Sequence, residues 1–288
     1  MEPASRSLRS NGVTLGYWEW TGEPESGKPP MVFVHATGFH ARMYDRIIAH
    51  FPEHRVISLD MRGHGRSEGG PIDHWLTIVD DVAGVFETLG LSSVIGVGHS
   101  MGGHVLAQCA ADAPERFSKL VLFDPVIMAP EFYETGSPLF SGSEPHPAIK
   151  RKRDFDSVEA MIERFANRDP YELFERGVFE DYCRFGLAPK PGAEGCELAC
   201  LPEVEASYYG ASRSNRGILE AITRIEAPAL VVRAKQTSVM DFKGSPTWEK
   251  LAGLIPNGRD LYRPDRTHFH PFEDPDDAAA IIAAAIES

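Results

Sequence analysis

Hydrophobic positions along this chain fall into short, near-continuous runs separated by longer stretches with helical spacing. Met31-Val-Phe-Val-His35, Arg55-Val-Ile-Ser-Leu-Asp60, Val94-Ile-Gly-Val97, Leu120-Val-Leu-Phe-Asp-Pro125 and Pro228-Ala-Leu-Val-Val-Arg-Ala234 lack the polar alternation of a half-exposed strand. They read as strands of a sheet covered on both faces. Between them, Arg42–Phe51, His74–Leu89 and Val105–Asp112 read as helices. In the second, Trp75, Ile78, Val79, Val82, Val85, Phe86 and Leu89 share one face, and Gly90 supplies a stop. At the N-terminal end, Asn11-Gly12 between Ser7-Leu-Arg9 and the alternating Val13–Trp20 predicts a hairpin with a two-residue turn. Arg259–Arg263 reads as an eighth strand, and Trp248–Ile255 and Asp274–Glu287 as helices, the last with acidic residues at its N-terminus where they suit the helix dipole.

The strand–helix rhythm breaks after Pro125 and resumes at Pro228. The intervening residues carry no strong strand signal and read as short amphipathic helices, about Ser157–Asn167, Tyr171–Arg176, Phe179–Phe185, Pro202–Ala211 and Asn215–Ile225, joined by Gly/Pro-rich stretches. The expected organisation is an α/β core of residues 1–125 and 227–288, with a helical cap of residues 126–226 inserted between strands 6 and 7. The cap's aromatic residues, among them Phe174, Tyr182 and Tyr208, read mainly as cap core, with a few left to line an apolar pocket. Lys150-Arg-Lys-Arg153 reads as a solvated approach to a helix, with anion binding as the lesser alternative.

Composition narrows the class. A chain of 288 residues with net charge −13 is long enough for a full core and is a poor match for nucleic acid or an anionic membrane. Cys196 and Cys200 stand at C-x₃-C spacing without a nearby histidine or second pair, which favours packing over zinc, and Cys109 reads as a small buried hydrophobe. With no apolar leader at the N-terminus and no long apolar run, the expectation is a cytoplasmic protein that acts on a small molecule and uses no metal or cofactor.

The chemistry concentrates in Gly98-His-Ser-Met-Gly102. A buried strand precedes this G-x-S-x-G sequence and a helix follows it, the context of a nucleophile elbow. The turn strains Ser100, leaves no room for side chains at the flanking glycines and aims the Met101 N–H back toward the serine. Gly96-Val-Gly98 does not extend to a dinucleotide fingerprint, because Met101 occupies the third glycine position. An unactivated alcohol is a weak nucleophile, so Ser100 requires a base within hydrogen-bond reach.

Four segments in order give the chain its resemblance to the α/β-hydrolase superfamily, in its capped, esterase-like branch. They are Met31-Val-Phe-Val-His-Ala-Thr-Gly-Phe39, Asp60-Met-Arg-Gly-His-Gly-Arg-Ser67, Gly98-His-Ser-Met-Gly-Gly103 and Thr267-His-Phe-His-Pro-Phe-Glu-Asp-Pro275. The likeness spans nearly all of the chain outside the insertion, which falls where that family carries its cap. It implies a mostly parallel eight-stranded sheet flanked by helices. It further implies His268 as the base, in the loop after the last strand, with His270 as the competitor. Thr267 stands where the family usually has glycine. The family's usual acid position, a turn after the strand at Leu230–Arg233, reads Ala234-Lys-Gln-Thr-Ser-Val-Met-Asp241 here, with no carboxylate before Asp241. Some members carry the acid one strand earlier. That place holds Asp124, the favoured acid, with Asp241 as the alternative. The oxyanion hole is expected from the N–H groups of Met101 and Thr37, with Phe39 as second choice for the latter. His64, His99, His104 and Arg62 are expected to be structural.

The expected activity is cleavage of an ester or lactone through an acyl-enzyme. A C–C bond hydrolase or lyase on the same scaffold is the rival among enzymes, because the His-Ala-Thr-Gly loop loosely resembles that of ring-cleavage-product hydrolases. A ligand-binding protein with little turnover is the rival of another class. Ser100 at the nucleophile position argues against the aspartate-based dehalogenases and epoxide hydrolases of the superfamily.

Overall fold

The computed structural model describes residues 2–22, 26–134, 146–190, 192–237 and 241–288. Eight strands form one sheet: β1 (Ala4–Ser10), β2 (Val13–Trp20), β3 (Met31–Val34), β4 (Val56–Leu59), β5 (Val94–His99), β6 (Phe117–Phe123), β7 (Ala229–Ala234) and β8 (Gly258–Arg263). Their spatial order is β1-β2-β4-β3-β5-β6-β7-β8. β2 runs antiparallel to β1 and β4, and the remaining pairs are parallel. The hairpin forms because Asn11 and Gly12 both take positive φ, 42° and 81°, which matches the twist of the flanking strands.

Alternation along each buried strand sorts its side chains into two cores. Val32 and Val34 of β3, Ile57 and Leu59 of β4, and Leu120 and Leu122 of β6 face the helices α1 (Leu76–Thr88) and α2 (Met101–Asp112). Met31 and Phe33, Val56, and Val121 and Phe123 point the other way, toward Tyr44, Ile47 and the closing helix α5 (Pro275–Glu287). Each large apolar side chain so buried contributes roughly 1.5–3 kcal/mol before conformational entropy is charged against it. Asp274 caps α5 by accepting the Asp277 N–H at 3.1 Å.

Between β6 and β7 the chain forms short helices, among them Val158–Phe165, α3 (Arg176–Phe185) and α4 (Pro202–Gly210). It also forms a small antiparallel sheet of Asp154–Phe155, Leu187–Pro189 and Cys196–Leu198, which corrects the expectation of an insertion without strands. Two or three residues per strand are too few to show a two-residue period. Four expected helices shrink: Tyr171–Arg176 to a 3₁₀ turn over Tyr171–Leu173, Asn215–Ile225 to one turn of helix over Ile218–Ala221 and a 3₁₀ turn over Ile222–Arg224, and two more in the core. Arg42–Phe51 is a 3₁₀ turn over Ala41–Tyr44 and one turn of helix over Asp45–Ile48, and Trp248–Ile255 keeps only a 3₁₀ turn over Leu251–Leu254.

A buried ion pair ties these parts together. Arg62 donates to both oxygens of Asp81 on α1, at 2.6 and 2.8 Å, and to the Asn11 carbonyl at 3.0 Å. The Arg62 carbonyl accepts the Tyr208 hydroxyl of α4 at 2.7 Å, so hairpin, core helix and insertion meet at one residue. Among the described residues, no helix is long and apolar enough to cross a membrane.

Five histidines are locked inside as neutral hydrogen-bonding groups, which makes stability pH-dependent. Burial pushes His40, His64 and His104 down to about 4, His99 to about 3, and His35 well below its ordinary value. Between pH 6.5 and 4 the unfolded chain binds protons these imidazoles refuse, so stability falls as pH drops through that window. Asp45 and Asp60, raised to about 6 by burial, act in the opposite direction below pH 6. The net expectation is an uptake of roughly three protons on unfolding near pH 5.5. Urea titrations from pH 7.5 to 5 should therefore show a steadily falling unfolding free energy, and a flat profile would contradict the burial of these imidazoles in neutral form.

Candidate active site

Ser100 sits where β5 passes into α2, with φ 56° and ψ −117°. Its N–H donates to the Phe123 carbonyl at 2.9 Å, and its carbonyl accepts from His104 and Val126, at 3.2 and 3.1 Å. These bonds hold the serine in a conformation an L-residue otherwise avoids. The turn is tight enough that a Cβ on Gly102 would lie 2.0 Å from the Val34 carbonyl oxygen.

β6 lies beside β5 with His99 opposite Phe123, so the residue after each strand is Ser100 and Asp124 respectively. Asp124 also takes a positive φ, 47°, held by its N–H donating to the Val232 carbonyl at 2.7 Å. The carboxylate is buried, and Oδ1 accepts the Ala234 N–H at 3.2 Å and the Ser245 hydroxyl. The Thr247 hydroxyl lies 3.2 Å from the same oxygen and donates to the Pro125 carbonyl at 2.7 Å. Burial alone would raise this carboxyl, but the hydrogen bonds and charge of His268, with those from Ser245 and Ala234, hold it below its usual value.

His268 bridges the two. Its Nδ1 lies 2.7 Å from Asp124 Oδ2 and its Nε2 2.9 Å from Ser100 Oγ. With Nδ1–H donated to the carboxylate, Nε2 faces the serine as an acceptor. The backbone of His268 is tethered on both sides: its N–H donates to the Lys243 carbonyl at 2.8 Å, and its carbonyl accepts His99 Nε2–H at 2.7 Å. His99, buried and neutral, is thus a strut for the loop that carries His268.

The structure brings Ser100, His268 and Asp124 together and leaves the competing residues elsewhere. His270 turns its Nε2 to Asp277 at 2.8 Å. Asp241 accepts the Lys243 N–H at 3.0 Å and closes its own turn. His64 and His104 hold backbone: His64 accepts the Gly38 N–H at 3.1 Å and donates to the Arg62 carbonyl at 2.9 Å, and His104 donates to the Val126 carbonyl at 2.9 Å.

The loop after β3 approaches Ser100 from the other side. Its shape is set by His35, which donates to the Ala36 carbonyl at 2.8 Å and accepts the Met61 N–H at 2.9 Å. The Asp60 carboxylate adds bonds from the Ala41 and Arg66 N–H groups, at 2.8 and 3.0 Å. The Phe39 N–H is occupied, donating to the Ala36 carbonyl at 3.2 Å. Among the described residues, no protein acceptor pairs with the N–H of Thr37 or of Met101, the first residue of α2.

Aromatic rings from the insertion close over this arrangement. Phe174 and Tyr182 lie 6.0 and 5.6 Å from Phe39, ring centre to ring centre, and Phe174 lies 5.5 Å from Phe269, the neighbour of His268. Ser100 retains only 6% of its exposure and Asp124 2%, so charge developing there is shielded from water. Arg151 is also turned inward, onto Glu205 and two tyrosines, which corrects the reading of Lys150–Arg153 as a wholly solvated run. Ser245, Thr247 and the Arg151 group gave no signal in the sequence, since each acts across a long separation.

The chain is similar to known proteins over most of its length. The chain is 29% identical over 278 residues to a bifunctional esterase/perhydrolase of Acinetobacter calcoaceticus, covering 91% of each chain. It is 28% identical to a non-heme chloroperoxidase of Streptomyces lividans, over 86% of this chain and 87% of that one. Among solved structures it superposes on E-2-(acetamidomethylene)succinate hydrolase with a TM-score of 0.77 at 20% identity, over the full length of both chains. It also superposes on an enol-lactonase from Burkholderia xenovorans with a TM-score of 0.68 at 20% identity, over 98% of this chain and all of that one. Residues 29–275 match the profile of the α/β-hydrolase fold, and the chain belongs to that family.

Proposed function

We propose that this protein is a serine hydrolase that cleaves a carboxylic ester or lactone of a small to medium apolar substrate through an acyl-enzyme. The observation that carries this reading is the unbroken relay Ser100 Oγ–His268 Nε2, His268 Nδ1–Asp124 Oδ2, at 2.9 and 2.7 Å. Its similarity to a curated esterase over most of both chains supports the same chemistry.

The mechanism follows from the atoms. Ser100 Oγ attacks the substrate carbonyl while His268 Nε2 takes its proton, and the imidazolium is stabilised by the Asp124 carboxylate. The N–H groups of Met101 and Thr37 receive the developing oxyanion. They are backbone donors on a fixed turn, so little reorganisation is needed as charge appears. The imidazolium returns its proton to the departing alkoxide, leaving acyl-Ser100. Water, deprotonated by His268, then attacks the acyl carbon and releases the acid and free serine. For a lactone the departing alkoxide stays on the acyl chain. Proton transfer and acyl transfer both run through this chain's own groups and water, so the reaction as proposed needs no metal or organic cofactor. The aromatic rings around Phe39 and Phe269 suit apolar acyl or alcohol parts.

Ser100→Ala and His268→Ala should each lower kcat on a p-nitrophenyl ester by roughly 10⁴-fold or more, with circular dichroism unchanged. Retention of more than a hundredth of the activity in either folded variant would contradict the assigned roles. Asp124→Asn and Asp241→Asn, compared on the same ester, should separate sharply. The first should lose on the order of 10⁴-fold in kcat and the second less than about three-fold. Equal, mild losses would remove Asp124 from the relay.

A further inference from the structure

A buried ion pair from the insertion stands against the loop that carries Thr37. Glu205, on α4, is 5% exposed, and its Oε1 comes so close to Gly38 that a Cβ built there would lie 2.7 Å away. Gly38 has φ 80°, and its N–H is already held by His64. Glycine is therefore required at this position both by backbone conformation and by the carboxylate pressed onto it. The other oxygen of Glu205 is bonded to the Arg151 guanidinium, which also donates to the hydroxyls of Tyr182 and Tyr171 at 2.5 and 3.3 Å. Those two hydroxyls lie 3.1 Å apart. A narrow crevice with Gly38, Phe39, Arg151 and Tyr182 in its lining runs between insertion and loop here.

This placement poses an electrostatic problem for the proposed chemistry. A carboxylate packed on the residue after Thr37, in a site with little water to screen it, opposes the negative charge that must build on the substrate oxygen. Arg151 cancels that field. Its fixed fork also keeps Glu205 seated on Gly38. We propose that Arg151 is a positioning residue of the oxyanion hole: it neutralises the Glu205 carboxylate packed on Gly38, so that an oxyanion can form beside Thr37. This rests on the hydrolase reading of Ser100.

The two partners should respond with opposite signs, which a purely structural pair would not do. Arg151→Gln leaves the carboxylate uncompensated beside the oxyanion. It should lower kcat on p-nitrophenyl butyrate by about ten-fold or more, with KM within about three-fold. Glu205→Gln keeps the shape and removes the opposing charge, so kcat should stay within about three-fold of the parent or rise. The double variant should recover most of the activity lost in Arg151→Gln. Thermal melting of each variant separates folding from catalysis.

Loss of kcat by about ten-fold or more in folded Glu205→Gln overturns the proposal, and that variant stands as a test even where Arg151→Gln does not fold. An unchanged kcat in folded Arg151→Gln overturns it as well, as does a double variant no faster than Arg151→Gln. Reaction of the parent protein with a fluorophosphonate distinguishes failure of the underlying reading. A parent that neither reacts nor turns over the ester removes both inferences. A reactive, active parent combined with any of the contrary variant results removes this one alone.

Discussion

The arrangement depends on two neighbouring strands ending in the same unusual way. β5 and β6 are adjacent and parallel, and the residue after each, Ser100 and Asp124, adopts a left-handed backbone with φ 56° and 47°. Such conformations are unfavourable for residues with a Cβ, at a cost of order 1–3 kcal/mol each. Both are held by hydrogen bonds into the next strand: Ser100 N–H to Phe123 and Asp124 N–H to Val232, at 2.9 and 2.7 Å. The sheet thus fixes the spacing between hydroxyl and carboxylate, and only the imidazole must be delivered from afar. The position at the carboxyl ends of the central strands is where open α/β sheets place their chemistry.

Delivery of the imidazole depends on another histidine and on the Lys243 carbonyl. His99, inside the G-x-S-x-G sequence, donates to the carbonyl of His268, joining the serine turn to a loop 169 positions later. His35 and His64 shape the loop that carries Thr37 with both ring nitrogens, each giving one ring N–H and accepting one backbone N–H. A neutral imidazole suits this task because it is donor and acceptor at once, and it must remain neutral for both bonds to persist. Burial enforces that neutrality, so the bonds that align the site also make the fold sensitive to acid.

Much of this was legible from residue order. The central strands were visible as unbroken apolar runs because both faces of the sheet are covered, and Gly98-His-Ser-Met-Gly102 announced its own backbone geometry. Asp124 was legible only as one of two candidates, since a carboxylate after a strand shows its position but not its partner. What separates it from Asp241 spatially is the group of Ala234, Ser245 and His268 around it, all more than a hundred residues distant in sequence. The small sheet in the insertion escaped because its strands are shorter than any periodicity. Arg151 was hidden among Lys150, Lys152 and Arg153, and the inward turn of one cation in a basic run is set by a Glu205 whose proximity only folding creates.

The central claim is that one alcohol, Ser100, is made nucleophilic by His268. Peptide mapping by mass spectrometry after reaction with a fluorophosphonate tests it most directly. The account predicts a single adduct, on Ser100, whose formation is strongly slowed when His268 is replaced by alanine. A protein that stays unmodified, or one that carries the adduct on another residue, would contradict it.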